Sequence, residues 1–263
     1  MKKLGVCGDS FFASISYDPN NLDNGYNKHF TEILAKKLGW EVITFARGAC
    51  SNQTIRLQID EIIKESPDLV IVGTTTPDRF EYPIDYVSIE NYIDKICDKH
   101  RRIGYVESNG LSNIDYSNYP DKSSEHNIFK QNKPLLFSDT LNNIFFNNQF
   151  RTYLKNNEIR ILEKWYDRFY DFQWKTQTDT WIISDGLRKL KENDIDFFCV
   201  SSFLFQNQLY FFNNKIIDND SPLNPNNYSS HNKDVPYRFH TSIEDQELLA
   251  DLWFSHINEY YEK

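Results

Sequence analysis

Val6-Cys7-Gly8-Asp9-Ser10 is an apolar run that passes straight into a glycine turn. A junction of this kind lifts a serine hydroxyl above the edge of a sheet, where the backbone N–H groups that follow can face an anion. Gly8 permits the bend and the Asp9 side chain can tie it. Gly-Asp-Ser is also an ordinary turn, and Ser10 equally suits the cap of a following helix. The segments downstream decide what the turn belongs to.

Phe30, Ile33, Leu34 and Leu38 share one helical face, with Lys36 and Lys37 opposite and Gly39 placed as a C-cap. Glu41 to Phe45 reads as a strand and ends in Arg47-Gly48-Ala49-Cys50-Ser51-Asn52. Ile55, Ile59, Ile62 and Ile63 repeat at helical spacing behind a cap at Ser51 or Asn52, and Ser66-Pro67 closes that helix. Asp68-Leu69-Val70-Ile71-Val72-Gly73 has the unbroken apolar character of a central parallel strand and ends in Thr74-Thr75-Thr76-Pro77-Asp78-Arg79. Strand, helix, strand, helix, strand with right-handed crossovers is a doubly wound α/β sheet. Ligands of such sheets bind beyond the carboxyl ends of the strands, where all three polar turns fall. A dinucleotide-binding reading fails. The first turn lacks Gly-x-Gly-x-x-Gly, and no acidic residue closes the second strand.

Further on, Ile89 to Cys97 has helical character and Ile103 to Val106 that of a short strand. The stretch from about 107 to 143 is polar and too long for a connection in a compact domain, so it reads as an insertion or a poorly ordered segment. Leu141 to Leu190 reads as helical and dense in aromatics. The plain reading of those rings is helix–helix core. The sharper one is that part of an insertion at about 107–181 folds over the sheet edge, with Trp174 and Trp181 as a wall that stacks on a sugar or fills an acyl pocket. Ile195 to Val200 reads as a fourth parallel strand ending in Ser201-Ser202, and Leu209–Phe212 with Lys215–Ile217 as a hairpin around Asn213-Asn214. The last helix carries Leu248, Leu249, Leu252, Trp253 and Ile257, with Ser242 and Asp245 at capping-box spacing.

Composition narrows the function classes. A formal net charge of −9 with no Lys/Arg run argues against a nucleic-acid partner. No stretch reaches the roughly 18 apolar residues of a membrane helix, and Asp9 interrupts any signal-peptide core. The four cysteines, Cys7, Cys50, Cys97 and Cys199, lack metal-ligand spacing, so no metal or cofactor is expected. Cys7 and Cys199, in strand-like runs, read as buried thiols suited to a reducing compartment. The 263 residues read as a single domain without internal repeats.

Acyl transfer needs a nucleophile, an adjacent base and donors for the oxyanion. Ser10 is the candidate nucleophile and His240, just before the last helix, the candidate base. Gly48 offers an N–H, and Asn52 and Thr75 offer side-chain donors. This order resembles the SGNH or GDSL hydrolase superfamily over the first eighty residues and the last twenty-five or so. Gly8-Asp9-Ser10 matches the family's first block and Gly48 its second. Gly73-Thr74-Thr75-Thr76 stands where the third block has Gly-x-Asn-Asp, and Tyr237-Arg238-Phe239-His240 where the fourth has Asp-x-x-His. Gly39 to Arg79 also looks like divergent members from tailed phages and bacteria, which carry a Gly-x-Ser-Asn motif and a Thr-x-x-x-Arg motif. The resemblance implies a three-layer α/β/α fold with a flavodoxin-like parallel sheet. It also implies an esterase or deacylase, with a carbohydrate O-acetyl ester as one substrate class, and the oxyanion donors Ser10, Gly48, Asn52 and Thr75.

Two departures stand out. Thr75 occupies the place of the oxyanion Asn, and Tyr237 the place of the triad Asp. Asp234 is the nearest replacement acid; a Ser–His dyad is the other solution. Arg79 either faces an anionic part of the substrate or pairs at the surface with Asp78 or Glu81. The competing function is an inactive SGNH-like binding or structural module, for instance in a phage virion. The expected partner is an ester substrate in the first case, and further copies of the chain or a virion assembly in the second. Synthesis in the cytoplasm without a leader is the expected location.

Overall fold

The computed structural model describes residues 1–9, 11–12, 29–46, 51–77, 79–84, 135–140, 156–202, 204–228 and 243–262. The strands β1 (Lys3–Cys7), β2 (Glu41–Thr44) and β3 (Leu69–Gly73) alternate with the helices α1 (Phe30–Leu38) and α2 (Asn52–Lys64). An antiparallel pair follows, β4 (Arg79–Ile84) with β5 (Leu135–Thr140), then α3 (Asn156–Phe169) and α4 (Phe172–Glu192). The chain ends with β6 (Asp196–Val200), the two-residue β7 (Ile216–Ile217) and α5 (Ile243–Tyr261).

The main sheet is parallel throughout, in the order β2-β1-β3-β6-β7. That is the flavodoxin-like doubly wound order. Its register sets Val6 beside Ile71 and Ile71 beside Phe198. Because strand side chains alternate, each strand feeds two cores. Leu4, Val6, Leu69, Ile71, Phe198 and Val200 join Leu34 of α1 and Leu249, Trp253 and Ile257 of α5. Cys7, Val70, Val72, Phe197 and Cys199 join Ile55, Ile59 and Ile62 of α2 and Ile183, Leu187 and Leu190 of α4. The result is the three-layer α/β/α architecture expected. Each of these fully buried side chains contributes about 1.5–3 kcal/mol.

Local signals account for the helix ends. Gly39 takes φ 68° and closes α1 by donating its N–H to Ala35 and Lys36 carbonyls. Ser51, not Asn52, caps α2, its hydroxyl accepting from the N–H groups of Gln53 and Thr54. Asn52 is thereby the first helical residue, and its side chain is free to turn toward the sheet.

Three segments differ from expectation. Tyr210–Lys215 is a 3₁₀ segment, not one arm of a hairpin, and β7 runs parallel to β6. The Phe212 ring lies edge-on to Phe197 at 5.7 Å, and Leu209 is buried. Leu209 and Phe212, three residues apart as a 3₁₀ turn spaces them, anchor this crossover on the core. The β4–β5 ladder stands where no strands were expected. The aromatics of α3 and early α4 are not core: Trp165, Tyr166, Phe169, Phe172, Trp174 and Trp181 are exposed. The segments at 89–97 and 103–106 lie outside the described residues.

Candidate active site

The carboxyl edge of the sheet is held by a connected set of polar side chains. Gly8 is gripped by Gln58 of α2, whose Oε1 accepts from the Gly8 N–H at 2.7 Å and whose Nε2 donates to the Gly8 carbonyl at 3.2 Å. Asn52 grips Thr75 in the same way. Its Oδ1 accepts from the Thr75 N–H at 2.9 Å and its Nδ2 donates to the Thr75 carbonyl at 2.8 Å. A primary amide presents the same donor–acceptor pair as a peptide group. Two such side chains from α2 therefore extend the ladder beyond the strand ends. Buried polar groups left without such partners would cost about 1–3 kcal/mol each.

Asp9 lies at the centre of the edge and is almost wholly buried. Its Oδ1 accepts from the Phe11 N–H at 3.0 Å, and its Oδ2 accepts from the Thr75 hydroxyl at 2.9 Å. The Asp9 carbonyl accepts from the Phe12 N–H at 3.0 Å, closing the turn across position 10. Arg79 approaches the same carboxylate, Nη2 to Oδ2 at 3.4 Å. Asp9 is thus the acidic partner of Arg79 among the described residues, while Asp78 and the Glu81 side chain, the surface partners expected from the sequence, lie outside them.

The set continues into α4. The Asp179 Oδ2 accepts from Asn52 Nδ2 at 3.0 Å, and its Oδ1 accepts from Lys175 Nζ at 2.5 Å. Burial pushes the Asp179 carboxyl above its ordinary range, against the pull of the Lys175 cation and the Asn52 amide. The order Lys175–Asp179–Asn52–Thr75–Asp9–Arg79 thus crosses the edge from one helix layer to β4. On the strand side the Phe12 ring covers Gly73 so closely that a Cβ there would stand 1.9 Å from Phe12 Cε2.

Asn52, Thr75 and Arg79 are therefore brought together around Asp9. Ser10, Gly48, Asp234 and His240 lie outside the described residues. Trp174 and Trp181 are not brought to this set. They touch each other edge-to-face at 5.7 Å and are both more than half exposed. Position 181 lies about 200° round α4 from Asp179 in a helix of 3.6 residues per turn. Gln58, Lys175 and Asp179 were missed by sequence reasoning. Polar residues on the inner face of an otherwise apolar helix were the available signal.

The described neighbours of the two candidate catalytic residues meet at one corner. Phe12 packs edge-on to Phe30 at 5.9 Å, and the Phe30 N–H donates to the Gln246 side chain in the first turn of α5 at 2.8 Å. The N-terminal end of α5 begins three residues after position 240. Cys7 and Cys199 are both fully buried, and desolvation pushes the Cys199 thiol up to about 12, so it is no nucleophile. Among the described residues no group of three His, Cys, Asp or Glu side chains is placed to hold a metal. No described helix is long and apolar enough to cross a membrane.

No family model matches the sequence, and no curated protein does. Solved structures similar to the chain include a family two carbohydrate esterase from Clostridium thermocellum in complex with cellohexaose, with TM-score 0.46 and 10% identity over 99% of this chain. The chain spans 65% of that esterase's length. A lipolytic protein of the G-D-S-L family from Desulfitobacterium hafniense matches with TM-score 0.34 and 12% identity, over 97% of this chain and 99% of that one. An acetyl xylan esterase matches with TM-score 0.32 and 13% identity, over the same shares. The G-D-S-L family is the one that Gly8-Asp9-Ser10 resembles.

Proposed function

We propose that the protein is a serine hydrolase acting on an ester bond, with a carbohydrate O-acetyl ester as the substrate class. Ser10 is the nucleophile and His240 its general base, with Asp234 orienting the imidazole. The Ser10 hydroxyl attacks the ester carbonyl carbon while its proton passes to His240, which returns that proton to the departing alcohol. Water, deprotonated by the same imidazole, then releases the acid and restores Ser10. The backbone N–H groups of Ser10 and Gly48 face the oxyanion, and Asn52 and Thr75 hold the frame around them. The observation that supports this reading best is the Phe12–Phe30–Gln246 contact, which joins the residues flanking Ser10 to the start of α5.

Hydrolysis of 4-nitrophenyl acetate and of an acetylated xylo-oligosaccharide by wild type and Ser10→Ala tests it. The reading requires turnover in wild type and its loss in Ser10→Ala, with unfolding unchanged. Equal rates in the two proteins would overturn it. A second reading, an inactive binding module, draws on one observation. The Asn52 amide and the Thr75 hydroxyl, both candidate oxyanion donors, are engaged inside the protein.

A further inference from the structure

Helix α3 stands apart from the packing that holds the other helices. The closely packed helix pairs among the described elements are α1 with α5 and α2 with α4, and α3 belongs to neither. Its side chains at 160, 161 and 164–169 are all exposed. A helix of 14 residues is marginal in water unless an apolar face is packed. α3 has such a face. Ile161, Trp165 and Phe169 recur every four residues and form one row along it, and Phe169 is 69% exposed. Tyr166 stands beside this row and stacks on Tyr170 at 4.9 Å. Phe172 follows at the start of α4, and the exposed Trp174 and Trp181 lie further along that helix. At ~200 Å² for a whole ring, the exposed parts of these six rings come to roughly 600 Å², against the ~800 Å² that each partner hides in an interface of standard size.

The charges of α3 decide what fits this face. Successive residues step about 100° round a helix, so residues four apart form rows. Arg160, Lys164 and Arg168, all exposed, make a basic row along one border of the apolar row. Glu163 and Asp167 occupy the row on the other border, beyond Tyr166. One helix thus carries an apolar strip with cations on one flank and carboxylates on the other. A nucleic acid or an anionic lipid surface suits half of that pattern and is opposed by the net charge of −9. A second copy suits all of it. About a two-fold axis parallel to α3, strip meets strip, and the basic row of each chain lies beside the acidic row of the other on both flanks. An antiparallel pairing would set basic row beside basic row. We propose that the protein is a homodimer joined through the α3 helices of its two chains, side by side and parallel. The partner then supplies the packed face that α3 needs in order to be a stable helix. The inference does not depend on the serine-hydrolase reading.

Sedimentation equilibrium at roughly 1–100 µM protein tests it. The samples are wild type, Phe169→Glu, an acidic variant (Lys164→Glu with Arg168→Glu) and a basic variant (Glu163→Lys with Asp167→Lys). Urea unfolding of each is recorded alongside. The proposal expects a wild-type dimer whose Kd rises with salt, because its flanking pairs are attractive and exposed. Phe169→Glu should weaken the dimer at least about thirtyfold, since a central ring is lost and two carboxylates face each other. Each charge variant should weaken it about tenfold, and mixing the two should restore a heterodimer, since acidic rows then meet basic ones. Wild type that stays monomeric overturns the proposal. Flotation of that monomer with phosphatidylglycerol vesicles would give the face to a lipid surface, and no flotation would mean that its own chain covers it. A dimer of unchanged strength in Phe169→Glu is joined elsewhere and also overturns the proposal. A wild-type dimer that tightens with salt overturns the parallel arrangement. If Phe169→Glu fails to fold, the acidic variant decides, because it alters only exposed side chains: wild-type dimer strength there overturns the proposal.

Discussion

The two edges of the sheet treat charge in opposite ways. At the amino edge Lys2, Lys3 and Lys215 are each partnered. The Lys3 N–H and ammonium donate to Asp68 and to the Glu65 carbonyl, and Lys2 lies over the Trp40 and Tyr261 rings. Lys215 donates to Asp196 and lies over Phe197 and Tyr260, while the Tyr260 and Tyr261 hydroxyls donate to the same Asp196. This edge fastens α5 to the sheet. The carboxyl edge has a longer buried network that ends in a guanidinium with two unmatched nitrogens. A closed network serves stability, whereas a buried guanidinium with unmatched nitrogens is a cost that the rest of the fold must offset.

The largest effect is expected where that edge is packed most tightly. In Gly73→Ala the new Cβ would overlap the Phe12 ring, at 1.9 Å from Cε2 and 2.1 Å from Cδ2. The ring must leave a site where it is fully buried, and the Asp9–Phe12 turn must move with it. The cost should approach that of losing a buried Phe, about 3–5 kcal/mol, read from urea unfolding. A loss under about 1 kcal/mol would show that Phe12 has room to turn aside and that the edge is softer than the contacts imply.

The layers of the fold were legible because they rest on periodicity. Leu69 to Gly73 is apolar without interruption because both its faces are covered, and Phe30, Ile33, Leu34 and Leu38 mark the inner face of α1. Part of the site was legible for the same reason, since strand ends are polar and Asn52, Thr75 and Arg79 all follow strands. The rest depends on contacts far apart in the chain. Asp179 lies 127 residues from Asn52, and nothing local marks it as its partner. The exposed rings of α3 and α4 defeated the reading from composition, since aromatic density alone does not distinguish a buried face from an open one. The Leu209–Ile217 stretch misled because Asn213-Asn214 between two apolar runs has the composition of a hairpin turn, whereas the pair lies inside a 3₁₀ segment.

A middle-sized effect separates the network's charge from its hydrogen bonds. Burial holds the Asp179 carboxyl above its ordinary range, so the folded state binds its proton more tightly than the unfolded chain does. The stability this contributes is fully present below the ordinary carboxylate pKa of about 3.9 and is lost as pH rises through the higher folded value. Asp179→Asn keeps an acceptor for Asn52 and removes the titration. Across melting curves from about pH 4 to neutrality, the variant's Tm should fall less than that of wild type over this window. Parallel curves would mean that Lys175 and Asn52 offset the burial entirely, making the two edges electrostatically alike.

The smallest effect sharpens the comparison most, because it repeats at one edge the substitution made at the other. Lys215→Met removes a cation from the amino edge as Arg79→Met removes one from the carboxyl edge. Lys215 and Asp196 are both partly solvated, at 26% and 37% side-chain exposure, so their ion pair is screened. Asp196 keeps the Tyr260 and Tyr261 hydroxyls, and a methionine can still cover the Phe197 ring. The loss should stay within about 1 kcal/mol, the range of an exposed pair, with kcat and KM on the acetyl ester unchanged. A marked fall in kcat with normal unfolding would break the division between edges, since it would carry an effect from the amino ends of β6 and β7 to the opposite edge of the sheet. Unchanged turnover beside a damaged Arg79→Met would assign the difference to where the cation sits, because the substituted side chain is the same.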